Sequence, residues 1–170
     1  MIALKTGIQF AAAVALTLAF GLAAAQRPLI DGLERPASKP QAVEFLFPEQ
    51  ITLPADKPAL VALHFRVAPG LHINSHAPAA EELIPTTFTL PEDSGVRLIA
   101  VSYPPGTAFT LPLDPTTKLS VYSGEFTLQT HIQATLGNHL VEATLRYQAC
   151  DNSACMPPKT IRVVIDVIGE

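Results

Sequence analysis

The sequence has no tryptophan, only two cysteines and few charges, with Asp, Glu, Lys and Arg making up 15% of its 170 residues. Each shortage excludes something. Lys and Arg number 11 against 15 Asp and Glu, a net charge of −4 that leaves no basic footprint and argues against nucleic acid as a partner. Beyond residue 25 no apolar run approaches the roughly 20 residues that a membrane-spanning helix needs. There is no sustained helical period there either, and 16 prolines argue against an all-helical chain, because proline breaks helix interiors. Internal repeats are absent. So are the Gly-x-Ser-x-Gly elbow of serine hydrolases and the Cys-x-x-Cys of thioredoxin-like helices.

What is present begins with export. Residues 1–25 read as a secretory signal peptide, with Lys5 as the positive start, residues 10–22 as the apolar core and Ala23-Ala24-Ala25 as the small-residue cleavage site. An uncleaved anchor is the rival reading, but the apolar stretch is short and alanine-rich, so cleavage after Ala25 is expected. Export places the cysteines where disulfides persist. Residues 26–41 hold three prolines and no apolar period, the composition of a flexible linker. Residues 42–170 form the folded domain.

Within that domain, strand signals fall at residues 43–47, 59–67, 84–90, 96–103, 119–122, 125–133, 140–149 and 159–167. Residues 59–67 alternate, with Val61, Leu63, Phe65 and Val67 inward and His64 and Arg66 outward. Pro69-Gly70, Pro104-Pro105-Gly106 and Gly137-Asn138 mark turns. About eight short strands separated by Pro and Gly turns predict an all-β, two-sheet antiparallel sandwich.

Both cysteines lie between the last two strands, Cys150 and Cys155 with four residues between them. Period-two alternation on both sides of a short polar loop predicts a β-hairpin with the thiols at its mouth. Residues flanking such a loop lie about 4.5–5.5 Å apart at Cα, within the roughly 4.4–6.8 Å that a disulfide accepts. Counting from Val141, the core face takes odd positions, which predicts that Cys150 shares the outward face with Arg146 and Gln148. A ring this small constrains the unfolded chain by only about 2 kcal/mol, a weak staple, so small ring and outward parity favour a redox pair. A structural disulfide in a non-enzymatic, secreted binding module is the alternative.

The histidines raise a third class, a metal carrier. His72 and His76 with the two thiols would make a Cys₂His₂ set. Pro69, Gly70 and Pro78 oppose the helix that would align the imidazoles, and the cysteine spacing is at the upper limit for zinc ligands. Surface or loop histidines, no metal and no cofactor are therefore expected.

The run Tyr147-Gln148-Ala149-Cys150-Asp151-Asn152-Ser153-Ala154-Cys155-Met156-Pro157-Pro158 resembles the active-site hairpin of the N-terminal periplasmic domain of DsbD-type thiol:disulfide interchange proteins. Weaker similarity runs through Gly70-Leu71-His72-Ile73-Asn74-Ser75 and Val121-Tyr122-Ser123-Gly124, so that it spans most of residues 42–168. The resemblance implies an immunoglobulin-like sandwich, a periplasmic location and exchange with thioredoxin-like partners. It also implies that Cys155 is the sulfur that meets the partner. Local charge agrees, since Asp151 adjoins Cys150 and disfavours a thiolate there, while Lys159 lies on the Cys155 side. Four residues separate the cysteines here, one fewer than in the best-known members. Those members shield the pair with an aromatic cap loop; residues 107–118 correspond to it, with Phe109 as the candidate cap. Family proteins continue into a membrane electron-transport domain and a thioredoxin-like domain. This chain stops at Glu170, so a separate membrane electron transporter is the expected further partner.

Overall fold

The computed structural model describes residues 41–46, 50–112 and 114–170. The signal segment lies outside the described residues, as does the linker apart from Gln41. Ala42 is the first buried residue described; its carbonyl accepts a hydrogen bond from Ala68 N at 2.9 Å. Among the described residues there are twelve strands and no helix.

One antiparallel sheet consists of β1 (Val43–Leu46), β3 (Ala59–Val67), β9 (Glu125–Ala134) and β6 (Val96–Ser102), in that order. A second has the order β2 (Gln50–Leu53), β12 (Lys159–Gly169), β10 (Gly137–Tyr147) and β5 (Thr87–Thr89); only β2 and β12 pair in parallel within it. The alternation of the sequence is the cause of the layering. β3 buries Val61, Leu63, Phe65 and Val67, and turns Leu60, His64 and Arg66 outward. β10 buries Val141, Ala143, Leu145 and Tyr147, and β12 buries Ile161, Val163, Ile165 and Val167. The two inner faces share one hydrophobic core, an immunoglobulin-like β-sandwich as expected. Phe65 lies at its centre, with ring centroids 5.3 Å from both Phe45 and Phe126.

A third sheet was not expected. It runs β11 (Ala149–Cys150), β4 (His72–Asn74), β8 (Asp114–Tyr122) and β7 (Thr107–Leu111). Gly124, with φ of +61°, turns the chain from β8 into β9 of the first sheet, a conformation that costs glycine nothing. Gly106 brings β7 close: a Cβ there would run into the Ser120 hydroxyl, which is itself bonded to the Ser75 hydroxyl at 2.8 Å.

The expected strand over residues 84–90 shrinks to β5. Pro85 has no N–H to give a ladder. Its neighbours bond to the third sheet and to the cysteine hairpin instead. Thr86 Oγ1 donates to Asn74 O at 2.6 Å, Thr86 N to Ser75 O at 3.2 Å, and Ile84 N to Gln148 Oε1 at 3.3 Å.

Candidate functional site

β10 and β12 run in unbroken register from Gly137 opposite Gly169 to Tyr147 opposite Lys159. There the ladder stops. Residues 148–158 form the tip of the hairpin, and Gln148 organises its base. Its amide oxygen accepts from Asn74 Nδ2 at 3.1 Å and from Ile84 N at 3.3 Å, while its amide nitrogen donates to Met156 O at 3.2 Å. Its backbone carbonyl accepts from Asn74 N at 3.2 Å. One side chain thus joins the two legs of the tip to β4 and to the segment before β5.

After Gln148 the chain changes partner. Ala149 and Cys150 pair with Ile73 and His72 of β4 rather than with β12. Met156 N donates to Ala149 O at 2.8 Å and Asp151 N to Ala154 O at 3.0 Å, closing a small turn. The Asp151 carboxylate caps this turn. Its Oδ1 accepts from Ser153 Oγ at 2.7 Å, Ser153 N at 2.7 Å and Ala154 N at 2.8 Å, and these bonds hold its pKa below the usual carboxylate value. The hairpin expected around the thiols is present, and Cys150 is bonded to Cys155. Their Cα atoms are 3.9 Å apart, closer than the expected range.

Exposure distinguishes the two sulfurs. Cys150 is buried, at 1% relative exposure, whereas Cys155 is exposed. By parity Cys150 was expected on the open face, and its exposure there fails for a physical reason. Alternation defines inside and outside only while one sheet continues. At Gln148 the strand leaves the sandwich sheet, and beyond it both Ala149 and Cys150 are buried in the third sheet, beside Ile73 and His72 of β4.

The neighbour of Cys150 across that pairing is His72, so both side chains lie on the same face of the third sheet. The expectation of a surface or loop position fails for His72, which is 4% exposed and has a buried Nε2 without a hydrogen-bond partner. Burial pushes its pKa down; the Asp151 charge opposes this. Phe109 lies on the His72 ring, with centroids 4.2 Å apart. The candidate cap therefore reaches the site by covering His72. The cap segment is not a loop but the β7–β8 hairpin, with Phe109 opposite Leu119.

His76 lies apart from His72. It is exposed, stacks on Tyr103 at 3.7 Å, and places Nδ1 3.0 Å from Thr86 O. Lys159 pairs with Tyr147 at the base of the hairpin. Among the described residues, no three His, Cys, Asp or Glu side chains converge as metal ligands. In the sequence His72 stood out only as one member of a possible Cys₂His₂ set, and Gln148 only as part of the cysteine motif. The signal available for Gln148 was its place between the buried strand and Cys150; for His72 no local signal exists, since its environment comes from residues 109 and 150.

No curated protein matches this chain. Among solved structures, the N-terminal domain of DsbD from Neisseria meningitidis in its reduced form is similar at 20% identity, with a TM-score of 0.45, over 68% of this chain and 81% of that one. The family model for the N-terminal part of the thiol:disulfide interchange protein DsbD matches residues 42–166, which take in the hairpin tip with both cysteines. The chain belongs to the DsbD N-terminal domain family, whose chemistry is thiol–disulfide interchange.

Proposed function

We propose that Cys150 and Cys155 are the redox pair of this chain, that Cys155 is the sulfur that meets the partner, and that Cys150 resolves the mixed disulfide. The family is periplasmic and interacts with thioredoxin-like proteins by thiol–disulfide exchange. On this reading residues 1–25 direct export and are cleaved after Ala25. A thioredoxin-like protein stands on one side of the transfer and a membrane electron transporter on the other.

The observation that carries the reading is the difference in exposure across one disulfide. An incoming thiolate must reach the sulfur it attacks, on a line with the bond that breaks. Attack on Cys155 Sγ forms a mixed disulfide and expels Cys150 as a thiolate; the partner's second thiol then releases Cys155, leaving this chain reduced by two electrons. In the donating direction the Cys155 thiolate attacks a partner disulfide, and Cys150 displaces the reduced partner while the Cys150–Cys155 bond re-forms.

The test is trapping. Cys150→Ala retains Cys155 and lacks the resolving sulfur, so it should accumulate a long-lived mixed disulfide with a thioredoxin-like protein. Cys155→Ala should capture little. The opposite pattern would reverse the roles. Capture by neither variant, with a reduction potential below about −300 mV, would identify the bond as a structural staple.

A further inference from the structure

We propose that His72 is the proton partner of Cys150, taking the thiol proton when Cys150 attacks a mixed disulfide and returning a proton when Cys150 leaves as a thiolate. This rests on the exchange reading above. Cys150 and His72 are register partners on adjacent antiparallel strands, which sets their Cβ atoms about 4.5–5.5 Å apart on one face. Both are buried, and the His72 ring lies against Phe109. A thiolate expelled into such a place lacks water to stabilise it, so a nearby proton donor matters more for Cys150 than for exposed Cys155.

His72 Nε2 is buried without a hydrogen-bond partner, and an unsatisfied group in a native fold calls for a reason. The oxidised state supplies one. While Cys150 is bonded to Cys155 its sulfur has no proton to offer, and a partner for Nε2 arises only on reduction. Neighbouring groups are engaged elsewhere. The Asp151 carboxylate holds three donors of its own turn; its charge still acts on His72. The Tyr122 hydroxyl on β8 donates to Pro104 O and accepts from His76 N. β7 contributes the apolar ring of Phe109. Burial also favours neutral imidazole, the form that accepts a proton.

The step balances. The Cys150 thiol gives its proton to His72, and the thiolate attacks Cys155 Sγ of the mixed disulfide. The intramolecular S–S bond forms, and the partner sulfur departs with the electron pair. In the opposite direction Cys150 leaves with the electron pair and takes its proton from protonated His72, which has drawn that proton from solvent.

An aryl disulfide, dithio-bis-nitrobenzoate, separates the stages. The reduced chain releases one coloured thiolate as Cys155 is modified and a second as Cys150 resolves the adduct. An unassisted thiol is only about 3% thiolate at pH 7, so His72→Gln should slow the second release there, by up to about 30-fold. The gap should close above about pH 9. Equal second-phase rates at every pH would overturn the proposal.

If His72→Gln fails to fold, imidazole nitrogen resonances of the unmodified chain decide. Reduction should shift the His72 titration, and Cys150→Ala, which lacks the thiol, should not show that shift. A His72 titration indifferent to reduction would equally overturn the proposal. Both readouts use the chain alone. Failure of the unmodified reduced chain to pass electrons to thioredoxin would overturn the exchange reading instead.

Discussion

At the scale of residues, Gln148 joins the hairpin tip to β4 and Asp151 caps its turn. Gln148→Ala would strand Ile84 N and Met156 O together and leave Asn74 Nδ2 with only its bond to Ile84 O. Leaving buried or half-buried partners unsatisfied costs about 1–3 kcal/mol, and denaturant titration should show a lower midpoint at unchanged slope. An unchanged midpoint would mean that water replaces the amide. Asp151 gives a pH signature. Its hydrogen bonds to Ser153 and Ala154 lower its pKa in the folded chain. The stabilisation it gives is therefore present above the unfolded value of about 3.9 and disappears as pH falls through the lower folded value. The Ser153 and Ala154 amides should lose exchange protection over that acid range, and Asp151→Ala should remove this pH dependence. Protection independent of pH in the parent chain would show that the carboxylate does not hold the turn.

Among the elements, the β7–β8 hairpin is the one that brings Phe109 onto His72. Deleting residues 109–112 would remove paired strand as well as the ring, so Phe109→Ala is the cleaner probe. It should speed alkylation of the reduced chain by a bulky reagent, and move the His72 pKa upward as the burial that depresses it is relieved. If both stay unchanged, Phe109 is packing and not a cap. β10 and β12 present the opposite case. Their register is complete before the cysteines begin, so the hairpin is expected to persist when the disulfide is reduced.

For the molecule as a whole, the expectation is that reduction leaves the sandwich folded. The six-residue ring, Cys150 to Cys155, is worth about 2 kcal/mol in the chain-entropy account. Truncating one fully buried core side chain, as in Leu145→Ala, costs about 2–5 kcal/mol. The core thus outweighs the crosslink. Thermal melts with and without reductant should show one cooperative transition lowered by several degrees, with the larger drop in Leu145→Ala. Unfolding at room temperature on reduction would make the disulfide a staple.

The sequence by itself determined the sandwich, the inward faces of β3, β10 and β12, and the pairing of the cysteines at the end of a hairpin. Those properties depend on alternation between adjacent residues and on turns a few residues long, and both are local. Family membership was legible for the same reason, since its strongest motif is a single run. Tertiary structure alone decided which sulfur is buried. Cys150 leaves its strand partner at Gln148 and comes under His72, whose own ring is covered by Phe109. Residues 72, 109 and 150 are distant in the chain, so their meeting is a consequence of the third sheet. Periodicity carries no information about which distant strands a segment joins, which is why Cys150 was expected outside and His72 at the surface.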